Sequence, residues 1–190
     1  EKMRLLEAAA RALVEMGRQA PGHQIVIAGA GNDAAALEPF LHTYVADRLI
    51  GLARLSPKDA TPSTVHALAM DVRAEHIRAS ENRHLAELAE GLGGGWAVNG
   101  VKDTLRALGQ GQVRTLLVND EASLPGFRSL TTGRLALGAV DLRSDGEVVP
   151  TLDVIDDAIE EALRQRVALD GVHEAARAQI DGLAGLLRFK

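Results

Sequence analysis

The sequence has no cysteine, and only one tryptophan, one tyrosine and three phenylalanines among its 190 residues. Without thiols there is no disulfide framework, no thiolate nucleophile and no cysteine-ligated zinc, an absence that agrees with a cytosolic, cytoplasmic chain. Long apolar runs are missing too. Residues 25–30 and 116–118 are among the longest, far short of the roughly 20 residues a bilayer span needs, and no cationic start leads into an apolar signal core. Nor does charge of one sign dominate. Residues 1–95 hold 10 Lys and Arg against 12 Asp and Glu, a balance of −2, and residues 96–190 hold 11 against 14, or −3, together the −5 of the chain. This even spread excludes a block-wide basic field, so any RNA contact is local.

What is present is enough for one large or two small domains: 46% of the residues are hydrophobic and 25% charged. Position 1 is Glu, and Met3, Leu6, Ala10 and Leu13 make a helical stripe from the outset, the pattern expected of a piece of a longer protein. Gly17 reads as the stop of this helix and Pro21-Gly22 as a turn. "IVIAGA" then has the continuous apolar character of a strand covered on both faces, over residues 24–28. In "GAGNDAAALEPFL" a glycine turn and a cap at Asn32 or Asp33 lead into a helix, and residues 49–55 read as a second strand. Thr61 as cap and Pro62 at the first helical position open a long helix. Its apolar stripe of Val65, Leu68 and Val72 gives way to the nearly all-polar residues 73–84 before Leu85, Leu88 and Leu92 resume. A helix polar all round in its middle bridges two bodies, which places the boundary at 1–74 and 75–190.

The second body repeats the alternation. Gly93–Gly95 reads as a linker, with Trp96 as a core anchor where the body begins. A helix over 101–108 buries Val101, Thr104, Leu105 and Leu108 and is closed by Gly109; residues 113–120 form a buried strand. Turn signals at Pro125-Gly126, 131–133 and Asp145-Gly146 bracket short strands over 134–142 and 147–149. A helix over 153–166, capped by Thr151 or Asp153, points Ile155, Ala158, Ile159, Ala162 and Leu163 inward. A strand over 167–172, a helix over 174–181 and a final strand in "GLAGLLRF" complete the chain. The fold class is α/β, in two small αβ domains joined by a long helix.

The chemistry-bearing residues give no enzyme. "GAGNDA", residues 29–34, sits where a phosphate meets a helix amino end, but it lacks the third glycine of the dinucleotide fingerprint and the lysine of a P-loop. A tight strand-to-helix turn explains the same residues. His23, His42, His66, His76, His84 and His173 have no close ligand spacing apart from His66/His76 and His76/His84. Ten and eight residues apart on a helix, those pairs diverge or sit more than two turns apart, so the histidines read as solvated side chains and no metal is expected. Asp153, Asp156, Asp157, Glu160 and Glu161 lie at a helix start, where negative charge suits the dipole; a catalytic or metal-binding carboxylate pair is the lesser reading. No serine occupies a nucleophile elbow. No catalytic residue and no cofactor are assigned.

"GGGWAVNGVKDTLRALGQGQVRTLLVND", then "DVIDDAIEEALRQRVALDGVH" and "DGLAGLLRF", together resemble the C-terminal domain of the archaeal and eukaryotic class-one peptide-chain release factors and their relative Pelota. The upstream helix, "IVIAGAGNDAAALEPFL" and the strand near Leu49 resemble the end of that family's middle domain. The resemblance runs over nearly all 190 residues, most specifically over 101–120 and 182–189 and least over 121–150. It implies residues 1–74 as the end of a middle domain and 75–190 as an α/β/α sandwich similar to kink-turn RNA binders.

The resemblance also implies a tRNA-shaped factor in the ribosomal A site, contacting rRNA and a translational GTPase. The family's Gly-Gly-Gln tripeptide, which places water at the peptidyl-tRNA ester, is absent; Gly109-Gln110-Gly111-Gln112 is a helix stop. In the kink-turn binders a Gly-x-Asn-Glu-x-x-Lys run reads RNA, whereas "AVNGVKD" keeps Asn99 but has Gly100 and Asp103 for the glutamate and lysine. That shifts the expectation from kink-turn recognition to partner contact by Asn99, Lys102 and Arg106. The plainer expectation for Lys102 and Arg106 is an ordinary solvated helix charge. Seventeen arginines against four lysines suit a high-GC bacterial genome, and a bacterial relative resembles the hibernation factor Balon, which acts with elongation factor Tu. The alternatives are a peptidyl-tRNA hydrolase in release or rescue, with its catalytic loop upstream, and an RNA- or protein-binding module off the ribosome.

Overall fold

The computed structural model describes all residues 1–190, and the chain divides into two compact units, Glu1–Ala79 and Ser80–Lys190. Ser80, Glu81 and His84, in the last part of the long helix, bond to residues of the second unit. No helix is long and apolar enough to cross a membrane.

In the first unit, α1 (Lys2–Gln19) lays Leu6, Ala9, Ala10 and Leu13 against Ile25 and Ile27 of β1 (Ile25–Gly29) and Leu49 and Leu52 of β2 (Leu49–Arg54). The two strands run parallel. Between them lie α2 (Asp33–Leu37), a 3-10 turn at Glu38–Phe40 and the single turn α3 (Thr43–Ala46). Gly17 does not stop α1. It is buried because a Cβ there would sit 3.2 Å from Tyr44 Cε1, and its carbonyl accepts from Tyr44 Oη and Arg48 Nη1, each at 3.0 Å. A glycine inside a helix here buys close packing, and its helix-breaking tendency of about 1 kcal/mol is overridden.

α4 (Pro62–Gly94) contributes its first part to one unit and its last to the other. Thr61 caps it as expected, Oγ1 accepting from the Thr64 amide at 3.2 Å. The glycine run is not slack. Gly93 and Gly94 are helical, and Gly95 at φ +71° closes the helix, with the Trp96 amide donating to the Gly91 carbonyl and the Gly95 amide to Leu92. That pairing of a left-handed residue with a bond reaching back over the last turn is a Schellman motif.

The second unit is a four-stranded sheet in the order β3 (Ala97–Asn99), β9 (Leu183–Leu187), β4 (Val113–Asn119), β8 (Ala168–Val172). β9 is antiparallel to β3 and β4, and β4 is parallel to β8. α5 (Val101–Gly109) and α6 (Val154–Arg164) cover one face with Val101, Leu105, Leu108, Val154, Ile155 and Ala158. Leu85 and Leu88 of α4 and Ile180 pack with residues of the other, Leu117, Ala184 and Leu186. Helices on both faces make the α/β/α layering.

Residues 121–150 hold a separate antiparallel sheet, β6 (Leu135–Ala136), β5 (Gly126–Ser129), β7 (Val148–Thr151). Only Leu135 and Ala136 of the expected strand over 134–142 are extended, since Ala139–Leu142 is a 3-10 turn. The sheet is tied by polar bonds: buried Ser129 donates to the Asp145 carbonyl at 2.6 Å and accepts from the Thr131 and Thr132 amides. Two further expectations change. Leu163 is exposed while Val154 is buried, because α6 starts at Val154 and its buried stripe runs 154, 155, 158, 162. The segment after β8 is a 3-10 turn, Glu174–Gln179.

Glycine positions test this packing. Gly182, at φ +75°, would bring a Cβ within 2.7 Å of Val101 Cγ2; Gly182→Ala is expected to destabilise by about 2–4 kcal/mol in urea unfolding. Gly93 has open space around it, so Gly93→Ala should stabilise by about 0.5–1 kcal/mol. A slack linker would show no gain.

Candidate interaction face of the second unit

Asn99 ends β3, and the one-residue turn at Gly100 (φ +102°) starts α5. The Asn99 side chain spends its polar atoms within the chain: Nδ2 donates to the Gln179 carbonyl at 3.0 Å and Oδ1 accepts from the Asp181 amide at 3.0 Å. It clamps the loop that feeds β9. Lys102 and Arg106 are one turn apart on the exposed face of α5, and Arg106 pairs with Asp103 at 2.9 Å. Both line a cleft of about 300 Å³ whose opposite wall is Arg134, Leu137 and Asp141. So the structure brings Lys102 and Arg106 to one cleft, while Asn99 bonds to the loop at 179–181.

The cleft's far wall comes from residues 121–150. Arg134 is set there by buried Asp145, whose Oδ2 lies 2.9 Å from Arg134 Nη1. Three cations, the Asp141 carboxylate and three leucines line the cleft, which suits a polar protein surface with an apolar centre. Leu137 on this wall is exposed. No periodicity marked this wall, since its strands are two to four residues long.

A second polar cluster takes in His84, which was read as solvated and is largely covered. On α4, Glu81 is 7% exposed and accepts from the His173 amide, with His173 Nδ1 at 3.7 Å. His84 Nδ1 lies 2.6 Å from Asp170 Oδ2, with both side chains about 20% exposed. Asp120, just after β4, takes Arg177 Nε at 2.6 Å; that guanidinium hydrogen bond holds the Asp120 carboxyl below its ordinary range and raises Arg177. The readable signal was Glu81, Leu85, Leu88, an i, i+4, i+7 stripe that continues the buried face of α4 through a charged residue.

Four carboxylates at the start of α6 have partners. Asp153 caps the helix, Oδ1 accepting from the Ile155 amide at 2.9 Å. Burial would raise its carboxyl, but hydrogen bonds from Ser123 and the Ile155 and Leu124 amides outweigh that and lower it. Asp157 and Glu160 face Arg128 at 3.5 and 3.8 Å, and Glu161 pairs with Arg164 at 2.8 Å. No three His, Asp or Glu side chains converge as metal ligands would. In the first unit, Asp33 of the "GAGNDA" turn pairs with Lys2 at 2.9 Å.

No family model matches the chain, and no curated protein does either. Solved structures do. Saccharomyces cerevisiae Dom34, a translation termination-like factor involved in RNA quality control and interacting with Hbs1, is 12% identical over 96% of this chain and 52% of its own, with a TM-score of 0.56. Archaeal Pelota, in a ribosome-bound assembly with ABCE1, is 17% identical over 99% of this chain and 49% of its own, at 0.52. The C-terminal domain of the Methanosarcina mazei peptide chain release factor is 15% identical over 67% of this chain and 93% of its own, at 0.50. The fold is that of Pelota and the release factors. The chain spans about half the length of the Dom34 and Pelota chains it matches.

Two measurements check the assignments. Glu81→Ala leaves the His173 amide without its acceptor and should cost about 1–3 kcal/mol in urea unfolding. Asp153→Ala should cost about 1 kcal/mol, with Asp153→Asn nearer wild type. Because the folded carboxyl of Asp153 is lowered, its contribution is present above the unfolded pKa and fades as pH falls through the folded one. The penalty of Asp153→Ala should therefore be full at neutral pH and shrink below about pH 4.

Proposed function

We propose that this chain is part of a ribosome-associated translation factor of the Pelota and release-factor type, with 1–74 the end of its middle domain and 75–190 its C-terminal domain. The factor occupies the A site as a tRNA mimic, in the cytoplasm of a bacterium, in hibernation or stress. Its partners are rRNA and a translational GTPase such as elongation factor Tu. The observation that carries this reading is the coverage of the fold: both units, in order, match Dom34 and archaeal Pelota over 96% and 99% of the chain. A single αβ sandwich would be a common shape, whereas this succession of two is far more restrictive.

The ribosome and Hbs1 belong to those relatives as described above, and their like is the partner class proposed here. Lys102 and Arg106, facing Leu137 across the cleft, supply the partner contact, and Asn99 shapes the adjoining loop. The 190 residues contain no Gly-Gly-Gln tripeptide, and the role proposed for this segment is docking.

Ribosome co-sedimentation of the full-length protein from starved cells tests the reading. The protein should travel with ribosomes and shift toward the top of the gradient in rich medium; protein at the top under every condition rejects it. Replacing Lys102 and Arg106 together by Glu should weaken GTPase capture by about tenfold through charge reversal at one rim. Unchanged capture would move the contact to another face.

A further inference from the structure

The chain's single tryptophan is not the core anchor its surroundings suggested. Trp96 is 51% exposed, and Phe189, just beyond β9, is 48% exposed. β3 is an edge strand, and Trp96 lies at its start, its carbonyl accepting from the Leu187 amide at 2.9 Å. The ring fits over the end of α4 because position 94 is glycine: a Cβ there would sit 3.3 Å from Trp96 Cδ1. Lys190 places its ammonium 4.8 Å from the ring centroid. In a chain with five aromatic residues, an exposed tryptophan forgoes the burial that large rings ordinarily supply.

The ring lines an open cleft of about 550 Å³ with Arg114, Arg188, Glu87 and Glu90. Arg114 is paired with Glu87. Arg188 is held by two hydrogen bonds to the Val113 carbonyl, a neutral partner that leaves its charge uncompensated. Counting Lys190, three cations meet two carboxylates, a local excess of positive charge in a chain of net −5. A peptide anchor needs a deep apolar pocket. This cleft offers one flat aromatic face with fixed cations beside it, the arrangement on which unpaired bases stack while the backbone meets Arg and Lys.

We propose that Trp96 is a stacking platform for an unpaired base of single-stranded RNA, with Arg188 and Lys190 meeting the flanking phosphates. Lys190, now over the ring, gives way to the base and turns to the backbone. Glu90, on the helical wall, steers the strand toward the β9 side. The proposal rests on Trp96 and its neighbours and is independent of the GTPase contact at Lys102 and Arg106.

Because the chain has one tryptophan, its fluorescence reports this ring alone. Titrating the 190-residue chain with oligoadenylate of about 12 nucleotides should quench that fluorescence, with an affinity that falls as salt rises. By anisotropy of the labelled oligonucleotide, Trp96→Leu should bind roughly 5- to 150-fold more weakly, the range of one lost stacking partner. Trp96→Tyr should restore binding, and Lys190→Ala should reduce the salt slope by about 1. Unfolding midpoints near wild type confirm that each variant folds. Absence of binding at about 100 μM in low salt overturns the proposal, as does binding that leaves fluorescence and the Trp96→Leu affinity unchanged. Quenching by heparin equal to that by RNA would show a charge effect alone and also overturns it. Loss of GTPase capture by Trp96→Leu without RNA quenching would assign the ring to a protein partner. Failure here with ribosome co-sedimentation intact leaves the preceding reading standing.

Discussion

The second unit depends on its last strand being buried between its first two. β9 is buried at every position, pairs with β3 on one side and β4 on the other, and alternates Leu183 and Leu187 toward α5 and α6 with Ala184 and Leu186 toward α4. Until it is in place, β3 has no partner and β4 has only β8. Pairing residues 97–99 with 184–186 closes a loop of more than eighty residues, and that entropy must be offset before the two apolar layers give anything back. This explains the density of devices at the entry to β9. Gly182 takes a positive φ where Val101 leaves no room for a Cβ, Asn99 clamps residues 179–181 through two bonds, and the Thr104 hydroxyl donates to the Leu183 carbonyl at 3.3 Å.

The other face of that sheet is covered by α4, whose burying stripe is only partly apolar. Leu85 and Leu88 are buried, and one turn earlier the stripe is continued by Glu81, with His84 beside it. A carboxylate placed there must find donors, since burial without them costs more than a hydrogen bond returns. The His173 amide supplies one at the end of β8, and Asp170 on β8 takes His84. The contact is therefore directional where a leucine would have been permissive, and it fixes the register in which α4 enters the second unit.

Regular elements were legible in the sequence because their physics is local. The strand at 113–119, the caps Thr61 and Asp153 and the buried face of α5 follow from period, capping chemistry and glycine placement. What was misread is what tertiary contact decides. Gly17 and the run 93–95 look like breakers, yet one admits Tyr44 and the other ends α4 in a motif that needs residues on both sides. Trp96 looks like a core residue by type, but it precedes the edge strand β3 and is half exposed. Residues 121–150 gave least, since Ser129, Asp145 and Arg134 hold that sheet by hydrogen bonds and an ion pair that carry no periodicity. Lys102 and Arg106 could be named from α5 alone, but not the wall they face.

A chain of net −5 is an unpromising RNA ligand only if charge acts as a sum. At physiological salt a charge is felt over about 8 Å, so a phosphate beside Trp96 senses Arg188, Lys190 and Glu90 and almost nothing of the acidic start of α6. Carboxylates elsewhere are already engaged by Arg128, Arg164 and Arg177, which further shortens their reach. Even acidity then has a use: it suppresses indiscriminate adhesion to nucleic acid while leaving a few short-range cations effective where shape brings a strand close. Selectivity falls to the stacking surface and the geometry around it, and the net charge of the chain says little about either.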